Sequence, residues 1–172
     1  MRFTFSGIFS LLLLAFPAQA QSFEVQTLVL ELMNSGKYDS AEAMLTGNDP
    51  VSLRLRIELA DRRGDSRIAV RSANQMLLAY QAGSYQTSGE LAQAAFAAWY
   101  LGEWERANRI FNEASEKENP SLSLYVDWGR LYLEKFNPGE AEGIFQDAVK
   151  AGPQPGSFPR WTPADAYLCL LY

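Results

Sequence analysis

Two pairs of closely spaced glutamates are the residues of this chain best suited to acid–base chemistry. Glu103 and Glu105 form one pair, and Glu140 and Glu142 form the other. Paired carboxylates can act as general acid and general base. Both pairs also fall where a helix is expected to begin, and acidic side chains there are stabilised by the helix dipole. We therefore interpret both pairs as structural.

Nucleophilic and metal chemistry is limited by the residue counts. The chain has no histidine and one cysteine, Cys169. These counts exclude a Ser-His triad, a Cys-His pair, a histidine-based zinc site and an internal disulfide. Cys169 lies in an apolar run, which is typical of a buried, unreactive thiol. We expect a protein that is not an enzyme and that binds no metal or cofactor.

The tripeptide Arg63-Gly64-Asp65 allows two interpretations. An exposed turn of this composition can be recognised by adhesion receptors. The same residues are explained by a glycine that ends one helix and an aspartate that caps the next. We favour the second interpretation.

The first twenty residues have the layout of a secretory signal peptide. Arg2 is followed by an apolar run at residues 8–16 and by Ala18-Gln19-Ala20. Cleavage after Ala20 would leave a secreted or periplasmic protein without a membrane span. It would also change the formal charge from −5 to −6 because Arg2 is removed. This acidic balance argues against a nucleic-acid partner.

A motif of small and aromatic residues repeats after 34 residues in the second half of the chain. The two copies are Ala107, Phe111 and Ala114, then Ala141, Phe145 and Ala148. A fixed period of this length indicates helix pairs that stack to bury a shared apolar face, as in a helical solenoid.

Cap signals show where several second helices of such pairs begin. Asn137 is expected to be an N-cap, followed by Pro138 at the first helical position. Asp65 is expected to cap another helix. Asp39 and Glu42 have the spacing of a capping box for an earlier one.

The repeated residues resemble the tetratricopeptide repeat (TPR) family. In the last unit Tyr125, Gly129, Tyr132, Ala141, Phe145, Ala148 and Pro153 occupy the family's places, and in the unit before it Leu91, Ala95, Gly102, Trp104, Ala107, Phe111 and Ala114 do so. The resemblance implies an all-α, right-handed superhelical solenoid of about four helix-turn-helix repeats plus a partial terminal helix.

The expected organisation is a signal peptide at 1–20 and one repeat domain at 21–172. The units are expected at about 22–50, 51–83, 88–121 and 122–155, with a terminal helix at 163–172. That helix is apolar, which leaves three alternatives open. It could dock on the last unit as a cap, the chain could be the front part of something longer, or the helix could mediate self-association.

The resemblance also implies a concave groove lined by the first helix of each unit. Its protein-binding residues are expected to be Arg54, Arg62, Phe96, Trp99, Tyr100 and Arg130. Arginine and large aromatic residues are common energetic anchors at interfaces. The alternative for Phe96, Trp99 and Tyr100 is packing between units.

Two functions follow from these expectations. The first is an exported, non-enzymatic scaffold that binds a protein or peptide segment in the groove. The second is an N-terminal accessory module of an exported, metallopeptidase-like hydrolase whose catalytic part is absent from this chain. Family members that bind chaperone C-termini have lysine and asparagine where this chain has Gln26 and Leu30, which disfavours that ligand.

Overall fold

The computed structural model describes residues 18–151 and 163–170, and this part of the chain is helical without any β-strand. The all-α prediction is therefore confirmed. Three predicted features lie wholly or partly outside the described residues: residues 1–17 of the signal peptide, Pro153, and the last two residues of the terminal helix. The helices are α1 (Ala18–Asn34), α2 (Tyr38–Met44), α3 (Pro50–Arg63), α4 (Ser66–Gln81), α5 (Ser88–Tyr100), α6 (Trp104–Ser115), α7 (Leu122–Glu134), α8 (Pro138–Ala151) and α9 (Pro163–Leu170).

The first eight helices form four consecutive hairpins. In each hairpin a first helix (α1, α3, α5 or α7) packs against the second helix that follows it (α2, α4, α6 or α8). Each first helix also contacts the next one, so that α3 touches α1 and α5, and α7 touches α5 and α9. The first helices are therefore neighbours across hairpins, and side chains from several of them can meet.

The four turns within the hairpins share one backbone geometry. A residue with positive φ ends the first helix, and the next residue donates its N–H to the carbonyl five positions earlier, at 2.8 to 3.0 Å. Glycine occupies the positive-φ position at Gly36, Gly64 and Gly102, as this conformation favours. In the fourth turn the position is taken by Phe136, with φ +56° and a side chain 92% exposed.

Two of the expected helix caps are confirmed. Asp65 accepts a hydrogen bond from the N–H of Ile68 at 3.3 Å. Asn137 Oδ1 accepts one from the N–H of Glu140 at 3.4 Å. Each bond satisfies one of the unpaired backbone donors at a helix start.

The capping box expected at Asp39 is wrong. Helix α2 begins at Tyr38, two residues earlier than a cap at Asp39 would place it, and its N-cap residue, Lys37, makes no side-chain capping bond. Asp39 and Glu42 instead accept hydrogen bonds from the guanidinium of Arg63, at the end of α3. Two carboxylates on one face of a short helix attract a nearby guanidinium, which here joins the first hairpin to the second.

The repeated small and aromatic residues are buried between the two helices of their hairpins. Gly129 and Phe145 show how closely the helices approach. A Cβ atom at Gly129 would lie 2.5 Å from Phe145 Cε1, and the Phe145 side chain is 1% exposed. Because Gly129 has no side chain, the Phe145 ring can occupy the space next to it. The buried set is Ala107, Phe111, Ala114, Ala141, Phe145 and Ala148.

The buried apolar residues form three clusters. The main cluster runs from α3 to α7 and includes Leu53 and Ile57. The N-terminal cluster joins α1, α2 and the other face of α3 through Val29, Met33, Ala41, Leu45, Leu55 and Leu59. The C-terminal cluster joins α7, α8 and α9 through Leu122, Val126, Ala148 and Ala166. Helix α9 thus packs on the last hairpin. Among the described residues, no helix combines the length and the apolar content needed to cross a bilayer.

Candidate binding pocket

The first helices of the second, third and fourth hairpins line a shared pocket of about 390 Å³. Its wall residues are Arg54, Ile57, Glu58 and Asp61 of α3, Phe96, Trp99 and Tyr100 of α5, and Arg130 and Glu134 of α7. We call this the aromatic pocket. Five of the six residues that the sequence predicts as protein-binding are among its wall residues.

Helical periodicity places these side chains on one face of each helix. The α3 residues follow the spacing i, i+3, i+4, i+7, and the α5 and α7 residues follow parts of the same series. Helix α5 contacts both α3 and α7. The three rings therefore lie on the middle helix, with charged side chains on the helices to either side.

The floor of the pocket is a buried ion pair between the second and fourth hairpins. Arg54 is 1% exposed and Asp127 is fully buried. The Arg54 guanidinium donates to both Asp127 carboxylate oxygens, with Nη2 to Oδ1 at 3.2 Å. Its Nε donates to Glu58 at 3.2 Å. Because such a bidentate pair has fixed geometry, it sets how α3 and α7 face each other.

Arg54 remains protonated in this environment. Burial alone would lower the pKa of the guanidinium, but the charges and hydrogen bonds of Asp127 and Glu58 outweigh it and raise the pKa. Arg54 also donates to Gln93 Oε1 at 3.2 Å. The Gln93 side chain is buried, and its Nε2 has no hydrogen-bond partner among the described residues.

The ring of Phe96 contacts those of Trp99 and Tyr100, and two of these three rings of α5 each contact an arginine. Phe96 lies with its ring centroid 6.1 Å from that of Trp99 and 6.5 Å from that of Tyr100. The guanidinium carbon of Arg54 is 4.0 Å from the Phe96 centroid, and that of Arg130 is 5.6 Å from the Trp99 centroid. Both distances fall within the range of cation–π attraction. The ring faces are therefore positioned to attract cations.

Two exposed carboxylates stand at the mouth of the pocket, each bonded to one ring. Trp99 Nε1 donates to Glu134 Oε2 at 2.8 Å, and the Tyr100 hydroxyl donates to Asp61 Oδ1 at 3.4 Å. Partial burial, followed by the charge and hydrogen bond of Asp61, raises the pKa of Tyr100. These bonds hold the edges of both rings and leave charged oxygens at the surface.

Arg62 is the one predicted protein-binding residue that does not line the pocket. It is exposed, and its Nη1 donates to Asn34 Oδ1 at 3.1 Å. Arg62 follows Asp61 directly, and a helix turns about 100° between consecutive residues. This rotation directs Arg62 toward α1, so it joins the first two hairpins.

The residues first considered for catalysis lie apart from the aromatic pocket. Glu103 accepts from Arg106 at 2.8 Å, and Glu142 accepts from Gln146 at 3.3 Å, each within one helix turn. Burial, which disfavours the thiolate, raises the pKa of Cys169. The described residues include no group of three or more histidine, cysteine or acidic side chains arranged to hold a metal.

Sequence reasoning missed Asp127 and Gln93, which complete the floor. One signal was available for Asp127, because it stands between Val126 and Trp128 on a helix whose other buried positions are apolar except for Ser123. A buried acid requires a buried cation or donor. The sequence does not say that the cation is Arg54, since the two residues are 73 positions apart.

A second, larger depression of about 640 Å³ is lined only by Gly102 and the start of α6. It brings together no side chains from different hairpins, so the aromatic pocket is the better candidate site.

A scan against protein-family models finds no match for this chain. A search of curated proteins finds none with significant similarity.

Proposed function

We propose that this chain is an exported, non-enzymatic TPR-like scaffold that binds a protein or peptide segment in the aromatic pocket. The proposal includes a right-handed superhelical arrangement of the hairpins and cleavage of the signal peptide after Ala20. It involves no cofactor. The TPR assignment rests on the repeated residues and on the hairpins of two helices that carry them.

One observation carries the binding proposal, namely that three successive hairpins contribute side chains to a single pocket with three aromatic rings. Aromatic and arginine side chains in partly desolvated pockets supply much of the binding energy at protein interfaces. The rings are half-buried, so each keeps some surface for contact with a partner. Packing alone does not require three partly exposed rings on one helix face.

The test uses the mature chain as bait against the envelope fraction of its native cells, with Trp99→Ala as the variant. Trp104→Ala is the matched control, because Trp104 is 40% exposed and lies on α6, outside the pocket. We expect Trp99→Ala to lower the recovery of the captured partner at least about tenfold, as for an interface anchor. Trp104→Ala should leave recovery unchanged.

Circular dichroism and thermal unfolding would show that both variants are folded. Equal recovery with Trp99→Ala and with the wild-type chain would reject the pocket as the binding site. Equal losses with Trp99→Ala and Trp104→Ala would reject it as well.

A further inference from the structure

The charges around the aromatic pocket are unbalanced. Four carboxylates surround or underlie it, those of Glu58, Asp61, Asp127 and Glu134, against the two guanidinium groups of Arg54 and Arg130. The whole chain also carries a formal charge of −5. An occupant with positive charge is therefore favoured by both the local and the overall field.

The two arginines already interact with acids of the same chain. Arg54 is buried and bonded to Asp127 and Glu58. Arg130 lies 4.0 Å from Asp127 Oδ1 and against Trp99. A carboxylate entering the pocket would have to compete with the buried Asp127 for them, and separating a buried ion pair is unfavourable.

The carboxylates at the mouth differ from the arginines in this respect. Asp61 and Glu134 accept hydrogen bonds from a phenol and an indole, which are neutral donors, and the described residues include no ion pair to either. They flank the rings of Trp99 and Tyr100 from α3 and α7. A cation between the carboxylates of Asp61 and Glu134 could contact a ring face and a carboxylate together, and both contacts favour positive charge.

We propose that the partner segment is basic and that it inserts a lysine or arginine side chain between the carboxylates of Asp61 and Glu134, against the rings of the aromatic pocket. This inference rests on the proposed function and adds the chemistry of the partner.

The binding test uses fluorescence anisotropy with two labelled synthetic peptides. In one peptide arginine alternates with serine, and in the other glutamate replaces arginine. The mouth variant is Asp61→Asn with Glu134→Gln, which keeps an acceptor oxygen for Tyr100 and Trp99. The matched control is Glu105→Gln with Glu118→Gln, which removes the same charge from exposed positions outside the pocket.

We expect the wild-type chain to bind the arginine peptide and not the glutamate peptide. The mouth variant should weaken binding about tenfold, because the loss of each of two contacts weakens it about threefold. The control variant should weaken binding by less than about twofold, because exposed charges at a distance are screened by salt. Arg130→Gln should tighten binding of the arginine peptide, since it removes a like charge from the pocket wall.

Several results would overturn the inference. If the wild-type chain preferred the glutamate peptide and Arg130→Gln no longer bound that peptide, the partner would be acidic. Equal weakening in the mouth and control variants would show general charge attraction. Failure to bind either peptide would also count against it. If Trp99→Ala abolishes partner capture while the mouth variant captures normally, the proposed function stands and only the basic partner is rejected.

Discussion

The buried Arg54–Asp127 pair should stabilise the fold mainly because removal of one partner leaves the other charge buried. We consider Arg54→Met, Asp127→Leu and the double variant. Breaking a buried pair from one side costs about 3 to 5 kcal/mol. In Arg54→Met, the Asp127 carboxylate still has the Arg130 guanidinium 4.0 Å away as a partner. In Asp127→Leu, the Arg54 guanidinium still has the Glu58 carboxylate 3.2 Å away as a partner. We therefore expect the low end of the range, about 3 kcal/mol, for each single variant.

The double variant should be more stable than either single variant. It buries no unpaired charge, and apolar replacement of a complete buried pair is often neutral or stabilising. We expect it to unfold within about 1 kcal/mol of the wild-type chain, and a cycle of the four proteins gives the coupling directly.

The assay is urea unfolding followed by far-UV circular dichroism. With a dependence on urea of about 2 kcal/mol per molar, each single variant should lower the midpoint by about 1.5 M. Arg63→Met is the control, because Arg63 bonds to exposed carboxylates, and exposed pairs contribute little. A midpoint for Arg54→Met equal to that of Arg63→Met, or a double variant less stable than both single variants, would contradict this role of the buried pair.

Two further predictions concern packing and pH. Gly129→Ala should destabilise the fold by about 1 to 3 kcal/mol, because the added Cβ overlaps the buried ring of Phe145. Gly143→Ala, in the adjacent helix with no atom within 4 Å of the new Cβ, should stabilise it by about 0.5 to 1 kcal/mol. If thermal unfolding gave stability changes of the same sign for Gly129→Ala and Gly143→Ala, the close packing of Gly129 against Phe145 would be contradicted. The buried hydroxyl of Tyr85 has no partner among the described residues, and burial raises its pKa to about 12. Since the folded pKa exceeds the ordinary value of 10.0, the stability from this group is full below about pH 10 and is lost toward pH 12. Tyr85→Phe should remove that loss without lowering stability at pH 7, and an unchanged pH profile would contradict the assignment.

The sequence predicted helix boundaries correctly where the contact that stabilises them joins residues close together in the chain. The cap at Asn137 and the turn at Gly64 and Asp65 depend on residues within five positions, so they can be read from the sequence. The capping box at Asp39 was wrong because α2 begins at Tyr38, which places Asp39 inside the helix, where its carboxylate accepts from Arg63, 24 positions away. Local patterns lose their predictive value where a distant charge can intervene.

The pocket was predictable in outline and not in its charges. Helical spacing groups Phe96, Trp99 and Tyr100 on one face, and each of them lines the pocket. The same spacing does not show that Arg54 is buried beneath the pocket, since burial depends on packing across three hairpins. The partner of that charge, Asp127, could be identified only from the folded chain.

The division of α3 between two clusters has a consequence for local opening. Leu53 and Ile57 face the main cluster, whereas Leu55 and Leu59 belong to the smaller N-terminal cluster. Helix α2 has only seven residues to hold that cluster together. Amide protons of α1 and α2 should therefore exchange with solvent sooner than those of α5 and α7. Each such opening uncovers a leucine stripe on a helix that is still folded, and this stripe is where two molecules would first adhere on warming.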